Sequence, residues 1–414
     1  MSAYLTTNAL FTLAASLIWG VNTLFLMGAG LDILQVMLVN TAFTVGQIIF
    51  EIPTGVVADT IGRKASFLLG NLTLFVSTLL YVASARFSWG IWAFVGASVI
   101  IGLGFTFQTG AVDAWLVDAL EHTGYEGTRE QVFSWGGMVS GTTMLVGTLA
   151  GGFLGQINLQ YPYVIRAVLL LACFLAALVM MQDLGFTPRP FELSKLGAET
   201  RRILDAGVRY GWRNRVVRPM MFASGAFGVF AMYGFYSWQR FALDLLGHEY
   251  VWVSGALAAA AALAGIVGNA LVKRVMRGGG SRRRASDVLA TCAVLFAIVV
   301  AAMGAIGLLV KTPGVGPLLG AASLWMVWGV LLGITEPIRR SYLNAHVPSA
   351  QRATVLSLDA FFNDVGGAGG QPALGWMAQT WSIPVGWLVG AVFLLLGAPL
   401  YRAAGRGETS VAAP

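Results

Sequence analysis

Charge is what this sequence has least of. Asp, Glu, Lys and Arg make up 11% of its 414 residues, against about 25% in soluble domains. Hydrophobic residues make up 57%, and the mean hydropathy is +0.73. A soluble core of this chain length cannot absorb that much apolar surface, so most of the solvent around it is lipid. Cysteine is nearly absent. Cys173 and Cys292 lie inside apolar runs and read as small core hydrophobes, which excludes a disulfide framework. The three histidines, His122, His248 and His346, stand at expected helix ends or in loops, without metal-ligand spacing, so no metal and no other cofactor is expected. A Gly-x-x-x-x-Gly-Lys-Ser/Thr loop is missing, which excludes an ATP-driven pump. The N-terminus has no basic region and runs straight into apolar sequence, so no cleavable leader is expected.

Long apolar runs are what the chain has instead. A spanning helix needs about 20 apolar residues. Twelve segments qualify, at 6–27, 33–57, 65–84, 90–119, 132–156, 163–182, 219–243, 250–273, 287–309, 316–341, 355–378 and 383–401. Many are rich in Gly and Ala, and the 52 glycines fit close helix packing better than loops. The bases settle the expected orientation. With the N-terminus inside, the inner segments collect bases such as Arg63, Lys64, Arg129, Lys273, Arg274, Arg339, Arg340 and Arg352, leaving Arg86, Arg166, Arg240 and Lys311 for the outer side. That bias favours an even helix count with both termini cytoplasmic, and it accounts for the net charge of +7 without nucleic acid. The expected fold is therefore an all-α membrane protein of twelve transmembrane helices.

The longest polar stretch divides the twelve spans six and six. The expected domains are an N-terminal half over 1–182, a cytoplasmic linker over 183–218, a C-terminal half over 219–401 and a tail over 402–414. The linker carries eight bases and an amphipathic piece around Leu204–Tyr210, a composition that fits a tether on anionic lipid better than a regulatory site. The halves repeat. A shift of 223 residues lays Asp113 on Glu336, Arg129 on Arg352, Ser134 on Ser357, Gly147 on Gly370, Gly152 on Gly375 and Gln156 on Gln379. Duplicated halves of this kind flank a central site near the bilayer midplane.

One stretch concentrates charge at a membrane edge. Glu51 to Lys64 holds Gly55-x-x-x-Asp59-x-x-Gly62-Arg63-Lys64. This closely resembles the signature between the second and third helices of the major facilitator superfamily. The resemblance covers nearly the whole chain and implies two pseudo-symmetric six-helix halves, a small-molecule substrate, alternating access and a monomer in the lipid bilayer. In it Gly55, Asp59, Gly62, Arg63 and Lys64, with Asp118, form a cytoplasmic gate. The glycines would let helices approach and turn the chain, and Asp59 would pair with a base or a helix N-terminus. The second-half equivalent has Val272 where the acid would stand, so the latch is expected to be asymmetric. Gly147-Thr-Leu-Ala-Gly151-Gly152 resembles the antiporter signature of drug exporters in the superfamily, with Thr148 in place of its proline. The fourth segment, Gly102 to Gly110, lacks the base that many exporters carry there.

Ionisable groups inside apolar spans cost about 2.5–3.5 kcal/mol each on insertion scales unless paired or protonated. Glu51, Asp113 and Glu336 are the candidates for proton coupling or substrate contact, with Arg339 and Arg340 one turn from Glu336 as neutralising bases. Asp118, Asp359 and Asp364 read as structural or gating groups. Trp19, Asn22, Gln47, Gln108, Tyr233, Tyr236, Trp238, Phe361, Phe362 and Asn363 are the candidate cavity lining. Aromatic faces suit lipophilic cations; the plainer reading of Tyr236 and Trp238 is an interfacial anchor.

The expected function is proton-coupled export of a small hydrophobic or cationic drug or secondary metabolite from the plasma membrane. Uptake on the same fold is the alternative. A membrane enzyme or scaffold is the distant one, because the acids are scattered and do not cluster as Mg²⁺-pyrophosphate chemistry needs.

Overall fold

The computed structural model describes residues 1–108, 111–186, 211–277 and 283–411. Most of the expected linker, including Leu204–Tyr210, lies outside the described residues. Every regular element among those residues is a helix. In chain order they are α1 (Ser2–Ser16), α2 (Asn22–Gly28), α3 (Ile33–Ile61), α4 (Arg63–Arg86), α5 (Ile91–Gln108), α6 (Ala111–His122), α7 (Arg129–Ile157) and α8 (Tyr161–Met180). They continue as α9 (Val217–Leu246), α10 (Trp252–Met276), α11 (Arg283–Leu309), α12 (Val315–Ala345), α13 (Arg352–Thr380) and α14 (Ile383–Val411).

Among the described residues nine helical stretches, with 91–122 taken as one, are long and apolar enough to cross a membrane. The other three expected spans correspond to α1 with α2, to α9 and to α13, which are interrupted or richer in glycine and polar side chains. The architecture is thus consistent with twelve spans. Ile157, Val179 and Leu309 lie open on the protein surface, a placement that suits apolar spans surrounded by lipid.

Local chemistry explains several boundaries. Asp32 and Gln35 form a reciprocal capping box that starts α3. Thr128 caps α7 through the Gln131 amide. Gly62, at φ +112°, separates α3 from α4. The first expected span differs from a single helix. The Trp19 amide bonds the Ser16 carbonyl at 3.1 Å, where a regular helix would use Ala15, and the chain tightens until α2 begins at Asn22.

The chain forms two compact units, Met1–Phe191 with His248–Ala259, and Glu192–Gly247 with Ala260–Pro414. α10 begins in the first and continues in the second. In the first unit α1 packs on α7 and α8, α4 on α8, and α5 on α3 and α4. In the second, α9 packs on α13 and α14, and α11 on α14 and α12. The repeat is visible in the elements themselves. Shifted by 223 residues, α7 falls on α13 end to end, and the end of α6 falls on the end of α12.

Candidate transport site

At the edge of the first unit, Asp59 pairs with Arg63 at 2.6 Å, and Asp118 of α6 lies 4.0 Å from the Arg63 Nε. Asp183, just beyond α8, supplies a contact that the motif alone does not reveal. α4 starts directly after Gly62, which has no side chain to cap it, so its first amides need an acceptor from elsewhere. The Asp183 carboxylate accepts the Lys64 amide at 2.8 Å, and the Lys64 ammonium reaches the Leu178 carbonyl at 2.8 Å. The missing cap was the available sequence signal for such a partner.

The two glycines of the motif divide their roles. A Cβ on Gly62 would meet Asp183 and would sit in the left-handed region, whereas one on Gly55 would find no heavy atom within 4 Å among the described residues. Among those residues Gly55 makes no close helix approach. Gly62→Ala is expected to destabilise by about 1–2 kcal/mol, the left-handed cost alone, and Gly55→Ala to be neutral or better in thermal unfolding. Equal losses would contradict this division.

The acids expected in the spans of the first unit are not buried. Glu51 and Asp113 are both exposed on the protein surface, and Asp113 lies within electrostatic reach of the Tyr4 phenol. Gln47 and Trp19 are half-buried. Asn22 and Gln108 are turned into helix packing. Asn22 donates to Asn40 at 2.9 Å and accepts from Tyr163 at 2.7 Å, while Gln108 donates to the Phe67 carbonyl at 3.3 Å.

Arg166, counted in the sequence among the outer-side bases, is 1% exposed and sits among the helices of the first unit. Its guanidinium donates to the Thr78 hydroxyl at 3.2 Å and faces the Ala14 and Ala15 carbonyls, both at 3.5 Å. Those carbonyls belong to the end of α1, so Arg166 serves the helix break, where a cation complements the C-terminal end of the helix dipole. Its lone position in an apolar span was the only sequence signal.

In the second unit, Glu336 bridges Arg340 at 2.5 Å and Arg339 at 3.3 Å, and Arg339 also pairs with Asp359 of α13. Tyr233, Tyr236 and Trp238 are all buried in helix packing, so neither Tyr236 nor Trp238 presents its ring to lipid as an anchor would. Tyr233 donates to the Ile383 carbonyl at 3.0 Å, and Trp238 stacks on Trp325 at 5.6 Å. Phe361 is exposed, Phe362 meets Phe222 edge-on at 5.7 Å, and the Asn363 carbonyl lies against Gly228.

The profile of the Major Facilitator Superfamily matches residues 4–370. The chain belongs to this superfamily. It is a multi-pass membrane transporter with the major facilitator fold. An uncharacterized MFS-type transporter, YxaM of Bacillus subtilis (strain 168), is 22% identical over 97% of this chain and 95% of its own length. The class B tetracycline resistance protein of Escherichia coli is 28% identical over 37% of this chain and 36% of that protein. The class E protein of Escherichia coli is 30% identical over 33% and 32%. The chain thus aligns with about a third of these two relatives. The nucleoside transporter NupG superposes with a TM-score of 0.75 at 13% identity, covering 98% of this chain and 99% of that one. A POT family transporter in complex with 5-aminolevulinic acid gives 0.74 at 12%, covering 96% and 94%. At these identities the superpositions establish the fold alone.

Proposed function

We propose that this major facilitator protein exports a small hydrophobic or cationic compound in exchange for protons, by alternating access of two six-helix halves. The domains are 1–182, the 183–218 linker, 219–401 and the 402–414 tail. It works as a monomer in the plasma membrane with both termini cytoplasmic. The observation that carries the export reading is the Gly147–Gly152 run of α7, which lies against backbone. A Cβ on Gly152 would stand 2.9 Å from the Gly255 Cα and from the Trp252 carbonyl. The partial similarity to two tetracycline resistance proteins supports the same direction. Glu51 and Asp113 couple the proton, since both are acids within otherwise apolar spans with room to exchange protons. Glu336, tied to two arginines, assists by re-partnering rather than by carrying the proton alone. The Asp59–Arg63–Lys64 edge gates the cytoplasmic side.

Reconstituted vesicles with tetracycline as the first probe and an imposed pH gradient test this reading. Wild-type protein is expected to move the probe against its gradient when protons flow the other way. Asp113→Asn and Glu51→Gln should reduce that movement to the level of empty vesicles while leaving the protein folded. Full activity in both variants would remove these residues from coupling. Accumulation in the opposite direction would make the protein an importer.

A further inference from the structure

Two charged residues among those described are almost completely buried, Arg166 in the first unit and Asp359 in the second. Their surroundings differ. Arg166 faces only neutral acceptors and serves the break after α1. Asp359, 2% exposed, has one carboxylate oxygen held by the Arg339 guanidinium, with the Ser224 hydroxyl of α9 beside the same group at 3.2 Å. Its second oxygen, Oδ1, is buried with no hydrogen-bond partner.

A carboxylate oxygen left bare in a protein interior is a costly arrangement, worth several kcal/mol if nothing satisfies it. A cavity of about 20 Å³, roughly enough for one water, is lined by Phe227, Phe296, Thr335, Leu394 and Tyr401. Tyr401 of α14 is in turn an electrostatic neighbour of both Asp359 and Arg339. Among the described residues, Ser224 from α9 and Glu336 from α12 also face the pair, Arg340 pairs with Glu336, and Cys292 from α11 neighbours Tyr401.

We propose that Asp359, clamped by Arg339, is a proton-binding site of the second unit. A proton supplied by water forms an O–H bond at Oδ1 and neutralises the carboxylate. Arg339 then keeps Glu336, which it already touches and shares with Arg340, as its remaining acidic partner. A purely architectural role fits less well, because the other half builds its fold without the pair. On the 223-residue repeat Asp359 corresponds to Gly136 and Arg339 to Leu116. The proposal rests on the proton-coupled reading only for what the proton drives, not for its binding.

The test uses the purified full chain in lipid nanodiscs, with protons as the probe. The infrared difference spectrum between alkaline and acidic buffer is expected to show a protonated-carboxyl stretch. That band should be lost in Asp359→Asn, shifted in Asp359→Glu and retained in Asp113→Asn and Glu51→Gln. A band unchanged in Asp359→Asn overturns the site. If Asp359→Asn does not fold, Asp359→Glu decides: a shifted band supports the site and an unshifted one refutes it. Tetracycline transport that ignores the pH gradient would defeat proton-driven export yet leave this spectrum unaffected, so the two readings fail separately.

Discussion

Arg339→Met is expected to destabilise the second unit by about 3–5 kcal/mol, the usual consequence of removing one partner from a buried ion pair. The loss arises chiefly from what remains. Asp359 stays 2% exposed with neither oxygen paired to a cation, and Glu336 keeps only Arg340. Adding Asp359→Leu to Arg339→Met should recover most of the loss, because an apolar pair leaves no desolvated charge behind. The sign with pH follows from the same picture. Protonating Asp359 abolishes the stranded charge, so the deficit of Arg339→Met shrinks as the buffer is acidified. Thermal unfolding of the single and double variants in detergent across a pH series measures all three effects. A double variant as unstable as Arg339→Met, with a deficit flat in pH, would show that the pair is not coupled as described.

Gly151→Val should cost about 3 kcal/mol, at the upper end of the usual range for overpacking. Its Cβ would collide with the Leu17 carbonyl, whose carbon would stand 2.8 Å away. The obstacle is main chain at the turn between α1 and α2, and main chain cannot swing aside as a side chain can. Gly255→Val should behave similarly, since its Cβ would meet the Gly152 Cα at 2.8 Å. Gly137 and Gly141 stand on the same helix as Gly151 but have nothing among the described residues within 4 Å of an added Cβ. Gly137→Ala and Gly141→Ala should therefore be neutral or stabilising, by up to about 1 kcal/mol of helix propensity. Folded yield and melting temperature compare the four substitutions directly. Tolerance of Gly151→Val would mean that α1 and α7 do not need this close approach.

Glycine content alone did not separate these positions. The antiporter-like run marked Gly151 and Gly152 but not Gly137 and Gly141, and which of them meets a neighbour depends on the rotation of α7 about its axis. The same holds for the polar candidates. Gln108 and Asn22 could be marked as unusual in apolar spans, but whether each faced open space or another helix was decided by packing. Asp183 and Lys64 lie 119 residues apart, and no local pattern joins them.

What the sequence determined by itself was the solvent, the class of fold and the repeat. Scarce charge and long apolar runs demand lipid, apolar spans in lipid must satisfy their backbones as helices, and a 223-residue correspondence survives as matched helix ends. The edge motif was legible because charges and glycines cluster there between two apolar runs and match the superfamily signature. Only the tertiary structure decided which charges were buried and with whom. Arg166 moved from a topology marker to the partner of a broken helix, and Asp359, read as a structural or gating group, became a clamped carboxylate with one oxygen lacking a hydrogen-bond partner. The physical reason is that burial and ion pairing are properties of several helices at once, while periodicity and composition belong to one.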